Sequence, residues 1–134
     1  MKRYATAVWN GTIKEGKGYL TTASKVLDKT SYSFKSRFEE GSGTNPEELL
    51  AAAHAGCFTM KVSADLSEAG FSLETRADIS FEDGRITRSE LHLTARIPGI
   101  DDNQFQQIVQ KSKENCPVSI AFSFEITLEA TLQK

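Results

Sequence analysis

Apolar and polar residues alternate most regularly between Thr87 and Ile97, where Leu91, Leu93, Ala95 and Ile97 fall on one side. That two-residue period predicts a strand with one face on a core. Leu73 to Phe81 predicts a second strand, and Glu82-Asp83-Gly84-Arg85 between them has the composition of a tight hairpin turn. Near the amino terminus, Tyr4 to Trp9 and Tyr19 to Thr22 read as strands joined through the Gly11 to Gly18 turn region. A short third strand is expected near Tyr32 to Lys35. Phe122 to Leu128 alternates again and predicts a last strand.

The period changes to three and four after Asn45. Asn45 is a good N-cap, Pro46 suits the first helical position, and Glu48 stands where a capping box places its carboxylate. A helix is expected from there to about Ala69, with Gly70 as its stop. Leu50, Ala53, Cys57, Met60 and Ala64 share one stripe, and the small apolar run from Leu49 to Cys57 predicts burial on more than one side. Asp101 or Asp102 caps a second helix with Phe105, Ile108 and Val109 inward and Lys111 and Lys113 near its end. Cys116-Pro117 closes it, because a residue before proline avoids helical geometry. The segment Glu39 to Thr44 is expected to be a loop. Three strands, helix, two strands, helix and strand make an α+β fold with antiparallel strands and two main helices packed against them.

At 134 residues the chain suits one domain over its whole length. A net charge of −2 carries no basic excess for nucleic acid or an anionic membrane. Two charges near Met1 without an apolar run behind them predict neither a secretory signal nor a membrane span. The cytoplasm is the expected location.

Two cysteines, Cys57 and Cys116, are too few for a disulfide-stapled secreted domain. In a reducing compartment they are either small core residues or working thiols. The small residues Ala51 to Gly56 favour work at Cys57, since they let another group approach. Cys116, at a helix exit, is expected to be the more accessible thiol. Thiol chemistry needs thiolate, which a nearby cation favours. Arg37 is such a cation and Glu47 a carboxylate able to hold it. Alone, each has an ordinary reading, Arg37 as a solvated surface charge and Glu47 as a first-turn carboxylate favoured by the helix dipole. His54, one turn before Cys57, raises a Cys–His pair. Together with His92, Cys57 and Cys116 it also raises a metal site, against which the absence of close ligand pairs counts. Trp9, Phe34, Phe38 and Phe58 are candidates for the core or for the wall of an apolar pocket.

Phe34-Lys35-Ser36-Arg37-Phe38-Glu39, the run Gly43-Thr44-Asn45-Pro46-Glu47-Glu48-Leu49-Leu50-Ala51-Ala52-Ala53-His54-Ala55-Gly56-Cys57-Phe58, and Asn115-Cys116-Pro117-Val118-Ser119 together resemble the OsmC/Ohr family of osmotically inducible and organic-hydroperoxide-resistance peroxidases. The resemblance runs nearly end to end and its wording is nearer the OsmC branch. It implies an intertwined homodimer with two active sites at the subunit interface. It implies Cys57 as the peroxidatic thiol, Cys116 as the resolving thiol, Arg37 as the activating arginine and Glu47 as its clamp. It further implies a stress-response antioxidant enzyme without metal or bound cofactor. Such an enzyme reduces organic hydroperoxides through a Cys57–Cys116 redox-active disulfide and is recycled by a dithiol such as protein-bound dihydrolipoamide. A thiol-based peroxide sensor or binding protein without turnover is the rival reading.

Overall fold

Residues 1–38 and 43–134 are described by a computed structural model. They form two compact units, Met1–Leu49 and Leu50–Lys134. Of the loop expected from Glu39 to Thr44, Glu39 to Ser42 lie outside the described residues.

The first unit holds an antiparallel sheet in the order β1 (Ala5–Asn10), β2 (Lys17–Thr22), β3 (Thr30–Tyr32). The expected third strand therefore ends earlier, and Phe34–Phe38 is a short helix, α1. Two serines decide this. The Ser36 amide donates to Ser33 Oγ at 3.3 Å, and the Ser33 amide donates back to Ser36 Oγ at 2.7 Å. This reciprocal cap starts a helix where the side chains alone suggest a strand.

Helix α2 (Pro46–Asp65) begins in the first unit and runs on through the second. Asn45 Oδ1 accepts the Glu48 amide at 2.8 Å, as an N-cap should. The Glu48 carboxylate turns instead to the Thr44 hydroxyl at 2.7 Å. The helix ends at Asp65, short of Gly70. Asp65 is held there by Lys61 at 3.0 Å and by the hydroxyl of Ser112 at 2.8 Å.

In the second unit, β4 (Ser72–Glu82) and β5 (Arg85–Arg96) make the expected hairpin. Asp83 at φ 50° and Gly84 at φ 77° take the two left-handed positions of its turn. Helix α3 (Asp102–Asn115) starts from Asp101, whose side chain accepts the Gln104 amide at 2.8 Å, and Cys116 ends it. Pro117 then opens a further short helix, α4 (Pro117–Ala121), which the sequence pattern concealed. Strand β6 (Glu125–Gln133) starts later than expected, after Phe122 has capped α4, and lies parallel to β5. The expectation of antiparallel strands thus fails for this pair. Parallel neighbours need a long crossover, which α3 and α4 provide. The fold class is α+β.

The core of this unit joins Phe58 and Val62 of α2, Leu91, Leu93 and Ala95 of β5, Ile97 just beyond it, Phe105 and Val109 of α3, and Cys116. The opposite faces of β4 and β5 carry ion pairs such as Arg76–Asp78 and Arg88–Glu90, half exposed and contributing little to stability. Among the described residues no helix is long and apolar enough to cross a membrane.

Candidate active site

Each of the two proposed pairs of site residues comes together within its own unit. In the first unit, Arg37 Nε donates to Glu47 Oε1 at 2.7 Å. Glu47 is buried, its side chain 10% exposed against 37% for Arg37. Its second oxygen, Oε2, is buried without a hydrogen-bond partner among the described residues. Asn45 makes this geometry possible from both ends. Its Oδ1 caps α2 while its Nδ2 donates to the Ser36 carbonyl in α1 at 2.8 Å. The residue that starts one helix thereby pins the other, and Arg37 is delivered to Glu47. Sequence reasoning gave Asn45 only its capping role.

Beside Arg37 lies a cavity of about 240 Å³ lined by Trp9, Ile13, Tyr32, Ser33, Phe34 and Pro46. Trp9 and Tyr32 meet edge to face at 5.5 Å. Gly18 is what lets them meet. A Cβ at Gly18 would lie 2.6 Å from each of the two rings. Of the aromatic residues proposed from sequence, Trp9 and Phe34 line this cavity, whereas Phe58 is fully buried in the core of the second unit.

In the second unit the sulfurs of Cys57 and Cys116 are 2.9 Å apart and share a hydrogen bond, both residues being free thiols. Cys57 is half-buried and Cys116 fully buried. This reverses the expected accessibility. Cys116 is folded into the core by the turn from α3 into α4, whereas Cys57 lies beside an open stripe of α2. Ala53 and Met60, expected on the buried stripe, are exposed, and His54, Phe58 and Val62 face the core instead. A Cβ at Gly56 would meet nothing within 4 Å.

The two thiols differ in their surroundings. Burial, the shared bond with Cys116 and its charge push the Cys57 pKa up, against the Val118 amide. Cys116 is desolvated as well, but the Cys57 thiol and the Ser119 amide and hydroxyl, with the Val118 amide, bring its pKa below the ordinary value. These amides act on the sulfur without forming a cap hydrogen bond.

His54 does not pair with Cys57. Its Nδ1 lies 2.7 Å from Ser89 Oγ and its Nε2 2.8 Å from Ser119 Oγ. Burial lowers its pKa from the ordinary 6.5, so the folded chain keeps the ring neutral where the unfolded chain would protonate it. Its contribution to stability is therefore complete above pH 6.5 and lost as pH falls towards the lowered value. Urea unfolding across this range is expected to show stability falling with pH. Rising stability on acidification would contradict the burial account.

The four candidate metal ligands are not gathered either. Both His54 nitrogens face serines, and His92 lies with Asp78 and Glu90, whose ligand atoms fall within 4.8 Å of one another. Asp78 and Glu90 already hold arginines, at 2.9 and 2.8 Å.

Residues 39–131 match the family model described as OsmC-like protein. The chain is 47% identical to the peroxiredoxin OsmC of Escherichia coli, covering 95% of this chain and 94% of that one. It is 33% identical to an organic hydroperoxide resistance protein of Xanthomonas axonopodis, over 86% and 85% of the two chains. In fold it is similar to an OsmC-like protein of unknown function from Vibrio cholerae, with a TM-score of 0.68 at 14% identity over 97% of this chain and 99% of that one.

Proposed function

Because the chain belongs to the OsmC-like protein family, we propose that it is a cysteine-based peroxidase that reduces organic hydroperoxides to alcohols. The observation that carries this reading is the pair of reduced thiols in contact at 2.9 Å, one half-exposed and one buried. The half-exposed Cys57 attacks the terminal oxygen of ROOH as thiolate. The O–O bond breaks, the alkoxide takes up a proton and leaves as alcohol, and Cys57 becomes a sulfenic acid. Cys116 then attacks that sulfur, water is released, and a disulfide forms. An external dithiol restores both thiols by exchange. The reading needs no metal or bound cofactor, and a reducing cytoplasm suits it.

Cys57 needs help to ionise, since its own surroundings push its pKa up. We assign that help to Arg37, held by Glu47, in a homodimer. This reading places a second copy of the chain beside Cys57. The exposed small residues Ala52, Ala53 and Gly56 beside Cys57 leave room for one. The apolar cavity beside Arg37 suits the organic part of the substrate.

Steady-state turnover of an organic hydroperoxide with excess dithiol tests the reading. Sustained alcohol production is expected. Oxidation that stops after one equivalent, with dithiol unable to restart it, would favour a sensor.

A further inference from the structure

A disulfide offers a reductant two sulfurs, and the fold makes those of Cys57 and Cys116 unequal targets. Cys116 belongs to the buried core with Phe105 and Val109 and is itself fully buried. Its backbone is held there by the start of α4. Pro117 opens that helix, and the Cys116 carbonyl accepts the Ile120 amide at 3.0 Å. Cys57 only packs against the edge of the core and is half-buried. Its neighbours on α2 are small. Ala53 and Gly56 are exposed, and a Cβ at Gly56 would meet nothing within 4 Å.

Forming the bond changes little of this. The sulfurs lie 2.9 Å apart as thiols, and a disulfide needs about 2.05 Å, so a movement of less than about 1 Å closes it. Cys116 therefore stays in the core when oxidised. In thiol–disulfide exchange the incoming sulfur approaches along the S–S axis, from behind the sulfur it attacks. From Cys57 to Cys116 that axis runs from the edge of the core inward. Behind Cys116 the core fills the approach, and behind Cys57 lies the open side of α2. The hydroperoxide must reach Cys57 as well, so the path a reductant needs is one the reaction already requires.

We propose that the reducing dithiol attacks the Cys57 sulfur, so that the mixed disulfide forms on Cys57 and Cys116 is the leaving group. The proposal rests on the peroxidase reading for the place of this step in a cycle. A thiolate of the dithiol forms an S–S bond to Cys57 and the Cys57–Cys116 bond breaks. Cys116 leaves with the bonding pair and takes up a proton from solvent. The second thiolate of the dithiol then attacks its own sulfur in the mixed disulfide. That step closes the dithiol's disulfide and releases Cys57 as thiolate, two electrons having passed to the protein. Until then Cys116 stands within reach of Cys57 and can return to expel the reductant. A second thiol on the same reductant molecule competes with that return, which a separate monothiol does only at high concentration. Cys57 thus carries both covalent intermediates, the sulfenic acid and the mixed disulfide, and Cys116 meets neither peroxide nor reductant.

The test uses the full chain with both cysteines, oxidised to the disulfide by diamide, so that no hydroperoxide is involved. Excess 2-mercaptoethanol is the probe. The mixture is quenched in acid, which removes the thiolates that carry exchange, and the adduct is located by peptide mass mapping. Adduct on Cys57 is expected to exceed adduct on Cys116 at least about tenfold, the ratio given by a barrier difference of about 1.4 kcal/mol. Equal labelling, or labelling chiefly on Cys116, overturns the proposal, as does a disulfide that the probe does not open. In concentrated denaturant, where burial is lost, the preference is expected to vanish. A preference that persists there overturns the proposal too, because burial would not be its cause. Failure of the peroxidase reading shows separately, as reduced protein that leaves hydroperoxide intact while diamide still forms the disulfide.

Discussion

Cys57→Ser is expected to abolish hydroperoxide consumption. Among the described residues the neighbouring sulfur, Cys116, is fully buried, and a serine hydroxyl does not ionise near neutral pH. Cys116→Ser is expected to differ in kind. Cys57 still reacts once, then remains a sulfenic acid and proceeds to sulfinic acid under excess peroxide, because the sulfur that lay 2.9 Å away is gone. The pair of results assigns order as well as identity. Peroxide consumption measured over many turnovers, with mass analysis of the Cys116→Ser product, reads both. Full multiple-turnover activity in Cys57→Ser would remove the assignment.

Arg37→Ala carries the second large effect. Burial and the neighbouring Cys116 push the Cys57 pKa up, and on the proposed reading the Arg37 cation offsets this. Loss of that cation is expected to slow Cys57 oxidation at neutral pH at least about tenfold, or about 1.4 kcal/mol in barrier. Arg37→Lys should restore only part, since an ammonium keeps the charge but loses the planar fork that grips a carboxylate and a peroxide together. Glu47→Ala should also slow the reaction by freeing the arginine. Faster oxidation there would show that local charge outweighs placement and would return Glu47 to a helix-terminus role. Subunit mixing tests the shared site. Cys57→Ser and Arg37→Ala chains, each impaired alone, should form mixed dimers with one intact site and regain activity. Sedimentation as a monomer, with full activity, would rule that arrangement out.

The parts of the fold legible in the sequence are those fixed by local chemistry. Asp83-Gly84 gave the hairpin because few residues other than glycine, asparagine or aspartate accept two successive left-handed positions. The alternation in β5 gave its core face, and Asp101 gave the start of α3. The facing of α2 was less legible. Its alanines fit any phase, so the hydrophobic stripe through Ala53 and Met60 looked as good as the true one, and the bulk of Phe58 together with bonds to His54 chose the other face. Pro117 read as a stop and is also the first residue of α4. Nothing within β6 records that its neighbour runs parallel, since direction is set by the crossover before it.

At the candidate site the same division holds. Residue types suggested thiol chemistry, but Cys57 and Cys116 are 59 positions apart, and only tertiary structure brings their sulfurs into contact. By residue type Arg37 reads as a surface charge and Glu47 as a first-turn carboxylate, and the tie that Asn45 makes between α1 and the start of α2 is what pairs them. The buried serines that hold His54 carried no signal in the sequence, because serine is common and Ser89 and Ser119 lie far from His54 along the chain.

The most direct measurement of the central claim is a single-turnover titration of the reduced protein with one equivalent of an organic hydroperoxide, followed by quantitation of alcohol and peptide mapping. The account predicts one alcohol and one Cys57–Cys116 disulfide for each hydroperoxide consumed, reversed by added dithiol. Hydroperoxide left intact, or thiols oxidised without a bond between Cys57 and Cys116, would contradict it.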